Sequence, residues 1–186
     1  MKYALTGGIG SGKSYVCRKL KEYGVEVFDC DASAKRLMRS CHKLQEQLSE
    51  AVGQDVFPDG QLDKAALAQF LLASEENTKV INGIVHPAVA KDFRSSGMQW
   101  MESAILFEAD FRHNVDKVIC VSAPLETRVE RVMERDGISR EKALEWINRQ
   151  MSQEEKERLS DYVIVNDGTA DLDRQLEELL EKIKHE

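Results

Sequence analysis

The stretch Thr6-Gly7-Gly8-Ile9-Gly10-Ser11-Gly12-Lys13-Ser14 puts four glycines into six positions and follows them with a lysine and a hydroxyl. Gly7-x-x-x-x-Gly12-Lys13-Ser14 is the spacing of a phosphate-binding loop. Glycine is costly in regular structure and is used where backbone must turn sharply or approach another group closely. In such a loop, backbone N–H groups converge on phosphate oxygens and no Cβ stands in the way. A helix starting behind it presents its own N–H groups and the positive end of its dipole to the same anion. Lys13 can then reach the β- and γ-phosphates, and the Ser14 hydroxyl can hold Mg²⁺. The dinucleotide pattern G-x-G-x-x-G is not met, because Lys13 stands where its third glycine would fall. The expectation is a bound nucleoside triphosphate.

Phosphoryl transfer also needs a place for an acceptor and positive charge on the transferring group. Asp29 and Asp31 bracket Cys30 just after a short apolar run. A carboxylate there either caps the following helix or takes the proton of an attacking hydroxyl. Six of the twelve arginines fall between Glu126 and Arg158: Arg128, Arg131, Arg135, Arg140, Arg149 and Arg158. Arg131 and Arg135 stand at i, i+4, a like-charge pair on one helix face. Glu126, Glu130 and Glu134 repeat at the same spacing, so the face admits either lateral Arg–Glu pairing or a polyphosphate. No N-K-x-D guanine-reading segment occurs; Asn166-Asp167-Gly168 lacks the lysine. Ala104-Ile105-Leu106-Phe107-Glu108 is a poor match to the apolar run ending in Asp-Glu of ATP-driven machines. A small-molecule kinase is the remaining reading.

The elements that would position these residues follow from periodicity. Tyr3-Ala4-Leu5 reads as a buried strand, and Val16, Leu20 and Tyr23 mark one face of a helix that starts at Lys13 and stops near Gly24. Val25–Phe28 reads as a second strand. Strand, glycine loop, helix and strand form a βαβ start, which implies a parallel sheet. From about Ala32 to Gly97 the pattern is helical, an inserted subdomain with Asp63 as a helix cap, Pro58-Asp59-Gly60 as a turn and His86-Pro87 as the entry to a further helix. Sheet character returns over Met98–Phe107 and Val115–Val121. Helices are expected over about Pro124–Arg135, over Ser139–Met151 with Ser139 as cap, and over Asp171–Lys184, with a last strand at Tyr162–Val165. No internal repeat and no linker rich in proline, glycine or serine divides the chain.

Composition bounds the rest. The 186 residues are 42% hydrophobic and 32% charged, enough for one α/β domain with helical insertions. The net charge of −7 argues against nucleic acid as the main partner, so an anionic substrate needs a local basic site. The four cysteines, Cys17, Cys30, Cys41 and Cys120, have no C-x-x-C spacing and no histidine cluster. They read as reduced thiols, the short apolar start is no signal peptide, and no stretch approaches a membrane span. A cytoplasmic location is expected, with no membrane partner; oligomeric state is not encoded in these patterns.

The ordered set of motifs resembles the dephospho-CoA kinase family over almost the whole chain. The matching segments are Leu5 to Ser14, Asp29-x-Asp31, Asp59-Gly60-x-Leu62, His86-Pro87, Leu106-Phe107-Glu108, Arg131-x-x-x-Arg135-Asp136, Gln150 and Asn166-x-Gly168. The resemblance implies a P-loop NTPase core with a parallel sheet flanked by helices, an inserted helical acceptor-binding subdomain and a helical lid. The core would take in about 1–31, 98–125 and 160–186, the insertion about 32–97 and the lid about 126–159. It implies ATP- and Mg²⁺-dependent phosphorylation of the ribose 3′-hydroxyl of dephospho-CoA, giving coenzyme A and ADP. Lys13, Asp31 and Arg131 would be catalytic, with Asp31 matching the family's base and Arg131 its phosphate-contacting arginine. Gly8, Gly10, Ser11, Gly12, Lys13, Ser14, Tyr15 and Arg135 would bind ATP, with Ser14 on the metal. Asp31, Lys35 and His86 would hold the acceptor. The chain departs from the family's usual residues at Tyr15 (threonine), Cys30 (alanine), Lys35 (arginine) and Ser103-Ala104 (Val-Pro), none of which removes a group needed by phosphoryl transfer. The other enzyme reading is a nucleoside or nucleoside-monophosphate kinase, with the same core and a different acceptor pocket; outside enzymes, it is a nucleotide-binding regulator.

Overall fold

The computed structural model describes Met1–His185 and divides the chain into two compact units. The first consists of Met1–Phe28 and the chain from Met98 onward; the second is Asp29–Gly97.

A five-stranded sheet runs in the order β2-β3-β1-β4-β5. Its strands are β1 (Tyr3–Thr6), β2 (Val27–Asp29), β3 (Trp100–Glu102), β4 (Lys117–Ser122) and β5 (Tyr162–Val165). The central strand β1 pairs in parallel with β3, setting Tyr3 opposite Trp100, and with β4, setting Thr6 opposite Cys120; β4 pairs in parallel with β5. Alternation then sorts the faces. Tyr3, Leu5, Trp100, Ile119, Val121 and Ile164 pack against Val16 and Leu20 of α1 (Lys13–Glu22) and Leu176 and Leu179 of α9 (Leu172–Lys184). The Tyr3 and Trp100 rings stack with centroids 4.7 Å apart. Ala4, Met101, Val118 and Cys120, fully buried, occupy the opposite face.

Between β4 and β5 lie α6 (Leu125–Asp136), α7 (Arg140–Asn148) and α8 (Gln153–Arg158). Val129 and Val132 of α6 bury against Ala143 and Ile147 of α7. Ser139 caps α7 by accepting the Lys142 N–H, as its place before the helix implies. The single helix expected over Ser139–Met151 instead ends at Asn148, and Ser152 caps the separate short α8 through the Glu155 N–H. The strand expected over Met98–Phe107 is also shorter: only Trp100–Glu102 is extended. Beyond it the backbone turns, with Ala109 N–H on the Ile105 carbonyl and Phe111 N–H on that of Leu106. Leu106, Ala109 and Phe111 are buried there, and an apolar run alone does not distinguish a strand from a buried turn.

The second unit is helical: α2 (Cys30–Ser40), α3 (His42–Val52), α4 (Lys64–Ala73) and α5 (Glu75–Ser96). The first three pack on α5, whose buried stripe is Ile81, Val85, Val89, Ala90 and Phe93. Asp63 caps α4 by accepting the N–H groups of Ala65 and Ala66. The expectation that His86-Pro87 opens a helix is corrected: both lie inside α5, which starts after Ser74. Pro87 deletes one backbone hydrogen bond, to Gly83, but both residues are on the exposed side, where water can satisfy the carbonyl. The long buried stripe outweighs that local break.

Candidate active site

The glycine-rich loop leaves the carboxyl end of the central strand, where α/β sheets gather their ligands. Gly12, with φ of +92°, is the N-cap of α1, so the first helical N–H groups belong to Lys13, Ser14 and Tyr15. A Cβ on Gly12 would lie 2.1 Å from Asn166 Nδ2, so both the backbone conformation and the close approach require glycine. Lys13 Nζ lies 3.4 Å from the Gly8 carbonyl oxygen, its head turned back over the loop. Ser11 N–H donates to the same carbonyl. The Ser14 side chain is exposed in the first turn, and the exposed Tyr15 ring carries the Arg18 guanidinium 5.5 Å from its centroid. The Ser11 hydroxyl, like those of Thr6 and Ser103, is buried without a hydrogen-bond partner.

Side chains from α6, α8 and the end of β5 surround this loop. Arg131 Nη1 donates to the Asn166 carbonyl at 2.9 Å and lies 3.4 Å from the carbonyls of Gly10 and Ser11. Asn166 Nδ2 donates to the Ser11 carbonyl at 2.9 Å. Arg128, buried, donates through Nε to the Ile9 carbonyl at 2.9 Å, and its burial pulls the guanidinium pKa below the ordinary arginine value. Gln150 and Gln153 accept the N–H groups of Ile9 and Gly8 at 2.8 and 3.1 Å. Arg135, one turn beyond Arg131, is exposed and pairs with Asp136, which holds the Asp136 carboxyl below the usual range.

Glu108, the acidic residue of the Leu106-Phe107-Glu108 motif, faces a structural partner. Its Oε1 accepts from Lys156 Nζ at 2.8 Å and from the Met151 N–H at 3.0 Å. Lys156 is fully buried and donates also to the Ala104 carbonyl at 2.6 Å.

The expected acceptor-binding residues lie in the second unit. Asp29 Oδ1 accepts the Ala32 N–H at 2.8 Å and caps α2. Asp31 is exposed in the first turn of α2, and Lys35 follows it one turn later, also exposed. His86 is half-buried on α5, and burial lowers its pKa from the ordinary 6.5. Thus the structure gathers Gly8, Gly10, Ser11, Gly12, Lys13, Ser14, Tyr15 and Arg131 about one loop, and puts Asp31, Lys35 and His86 on two packed helices.

Sequence reasoning named Arg128 only within the cluster of six arginines, and missed Gln153 and Lys156. For Arg128 a further signal existed: Arg128 and Arg131 stand at i, i+3, each directly before a buried valine, Val129 and Val132. Nothing local marks Gln153 or Lys156, whose partners are distant in sequence.

Among the described residues no group of three or more histidine, cysteine or acidic side chains is arranged to hold a metal. A magnesium ion carried on nucleotide phosphates needs one or two protein oxygens and keeps several waters, so the exposed Ser14 hydroxyl at the head of α1 fits it. The cysteines are thiols, Cys120 pushed up to about 11 by burial. Among the described residues no helix is long and apolar enough to cross a membrane.

A family model described as dephospho-CoA kinase matches residues 1–171. The dephospho-CoA kinase of Bacteroides fragilis is 41% identical over 191 aligned residues, covering 97% of this chain and 91% of its own. That of Carboxydothermus hydrogenoformans is 38% identical, covering 97% and 93%. A solved structure of a protein from Thermus thermophilus superposes with a TM-score of 0.82 at 34% identity, covering 98% and 97% of the two chains.

Proposed function

The chain belongs to the dephospho-CoA kinase family, and from that premise we propose that its phosphate loop carries ATP for transfer of the γ-phosphoryl group to the ribose 3′-hydroxyl of dephospho-CoA. It is a kinase whose substrates are ATP and dephospho-CoA, acting in the last step of coenzyme A biosynthesis. The observation that carries the loop's role is the Gly12 left-handed cap on α1, with Lys13 turned over the loop at the carboxyl end of the central strand.

In this reading the N–H groups of Gly10, Gly12, Lys13 and Ser14 bind the phosphates, and the Lys13 ammonium stabilises charge on the transferring group. Arg131 adds its charge from against the loop carbonyls, and Arg135 joins when the 126–159 lid closes. Ser14 would hold the magnesium ion, which would supply neutralisation of phosphate charge. Asp31 takes the proton of the 3′-hydroxyl, and Lys35 and His86 bind the acceptor in the 32–97 insertion. The remaining segments, about 1–31, 98–125 and 160–186, are the core. Location in the cytoplasm agrees with four cysteines that are not in disulfides.

The test compares Asp31→Asn with Lys13→Ala, using ATP, magnesium and dephospho-CoA, with the product's position fixed by mass and NMR. Lys13→Ala should lose about 10²–10³ in kcat, the cost of one electrostatic contact to developing charge. Asp31→Asn should lose a large part of kcat while ATP affinity and melting temperature stay near the parent's. A cap would tolerate the change, because asparagine caps helices about as well as aspartate. Parent-level turnover by Asp31→Asn would remove Asp31 from the mechanism, and parent-level turnover by Lys13→Ala would remove the loop.

A further inference from the structure

The loop residues ahead of the helix are held by side chains rather than by backbone ladders. Gly8 N–H donates to Gln153 Oε1 at 3.1 Å, Ile9 N–H donates to Gln150 Oε1 at 2.8 Å, and the Ile9 carbonyl accepts from Arg128 Nε at 2.9 Å. Gln153 is itself oriented. Its Nε2 donates to the Val121 carbonyl at 3.3 Å and to Glu157 Oε1 at 3.1 Å, and Glu157 accepts in turn from the Ser122 hydroxyl. Turning the amide over would set its oxygen against those two acceptors and its NH₂ against the Gly8 N–H. The absence of a side chain at Gly8 permits this approach: a Cβ there would lie 3.1 Å from Gln153 Oε1 and 2.3 Å from Arg128 Nη2.

We propose that Gln153, seconded by Gln150 and Arg128, is a positioning residue that presets the Gly8–Ile9 peptides of the phosphate loop and through them the head of Lys13. The route is short. Gln153 fixes the Gly8 N–H, and the carbonyl of the same residue accepts the Ser11 N–H at 3.1 Å and lies 3.4 Å from Lys13 Nζ. Gln153 is buried, so an unmet Gly8 N–H would have no water to replace it. The loop would then be ordered only when phosphate arrives, and ATP would meet that cost on binding. Once bound, the phosphates hold the loop themselves. The effect therefore falls on KM for ATP and spares kcat.

The inference rests on the reading of Gly7 to Tyr15 as the ATP phosphate loop, and Lys13→Ala serves as the reference for that reading. In the folded parent, the Gly8 amide should exchange slowly with solvent without nucleotide; fast exchange overturns the proposal without any substitution. Gln153→Ala should raise KM for ATP about tenfold, the equivalent of one buried unmet donor, with kcat within about twofold of the parent. Gln153→Glu keeps the acceptor for Gly8 but sets a second carboxyl beside Glu157. The retained acceptor should keep its KM for ATP below that of Gln153→Ala. A purely structural glutamine would lower the melting temperature of both variants and leave KM like the parent's; that result overturns the proposal. If Lys13→Ala is inactive while Gln153→Ala keeps the parent KM, the positioning role fails alone. If Lys13→Ala turns over normally, the loop reading fails and the proposal with it.

Discussion

Lys156 offers the most direct test of how the polar layer beside the sheet is held. Its ammonium is fully buried and donates to the Ala104 carbonyl at 2.6 Å and to Glu108 Oε1 at 2.8 Å, while Glu108 also accepts the Met151 N–H. Lys156→Met keeps the apolar stem and deletes the charge. Two charge-assisted hydrogen bonds go, each worth about 1.5–3 kcal/mol. The loss is offset because the ammonium's own desolvation penalty disappears, and because the Glu108 side chain, 27% exposed, can rehydrate. A net cost of about 2–3 kcal/mol remains, with the Ala104 carbonyl left unpaired. In a chain of this length that lowers Tm by about 4–12 °C.

Glu108→Leu is the sharper single change, because it leaves the buried ammonium facing one carbonyl. Its cost is about 3–5 kcal/mol, the range for breaking a buried pair from one side. The double variant removes both charges and should be clearly more stable than the sum of the two losses predicts, since residues in direct contact do not add. Calorimetry and urea unfolding of the three variants measure all of this. A Lys156→Met melting point within about 1 °C of the parent, or strict additivity in the double variant, would refute the reading of Lys156 and Glu108 as a stabilising, coupled pair.

Asp29→Ala should cost about 1 kcal/mol in urea unfolding through loss of the α2 cap, and Asp29→Asn close to nothing; equal losses would mean the carboxylate acts otherwise. His86 makes stability depend on pH: burial holds its folded pKa below the ordinary 6.5. As pH falls through that value the unfolded chain takes up a proton that the folded one refuses, so stability drops until the folded pKa is reached and is flat below it. His86→Gln should flatten that part of the stability–pH curve, and an unchanged slope would assign it to other groups. A non-hydrolysable ATP analogue should slow amide exchange across residues 126–158, as lid closure demands; unchanged exchange at saturating analogue would leave that segment without a closing motion.

The phosphate loop was legible in the sequence because its requirements are local. A left-handed cap, close backbone approach, an ammonium and a hydroxyl all fall within a few residues of one another, and each restricts residue type on its own. The clamp on that loop was not legible, because it joins residues far apart. Gln153 meets Gly8 across 145 positions, Arg128 meets Ile9 across 119, and Lys156 meets Glu108 across 48. A glutamine near a helix start has many uses, and only the fold selects one. Pro87 shows the reverse error, a strong local signal overruled by the buried stripe of α5. Asp29 and Asp31 show a third limit: two carboxylates one residue apart are equivalent in sequence. Only the extended backbone of Asp29, with φ −86° and ψ 107°, decides which of them caps the helix.

The arginine face of α6 shows how far spacing carries and where geometry must take over. Arg128, Arg131 and Arg135 fall at i, i+3 and i+7, on one side of the helix, as periodicity requires. Periodicity does not say what lies beside each turn. The first two reach the phosphate loop and are held by its carbonyls, whereas Arg135 stands about 6 Å farther along the axis and meets Asp136 instead. Their capacities to move differ accordingly. Arg131 is bound to three carbonyls of two segments, and drawing it away would take a donor from each, leaving the Ser11 carbonyl to Asn166 alone. Arg135 sits in an exposed pair, a kind of contact that contributes little and is readily exchanged for a stronger one. A polyphosphate offers that stronger partner, since an arginine binds phosphate oxygens through two parallel N–H donors. On the proposed function the two arginines of one motif would divide the work: Arg131 would give fixed charge behind the loop, and Arg135 the charge that arrives with the nucleotide.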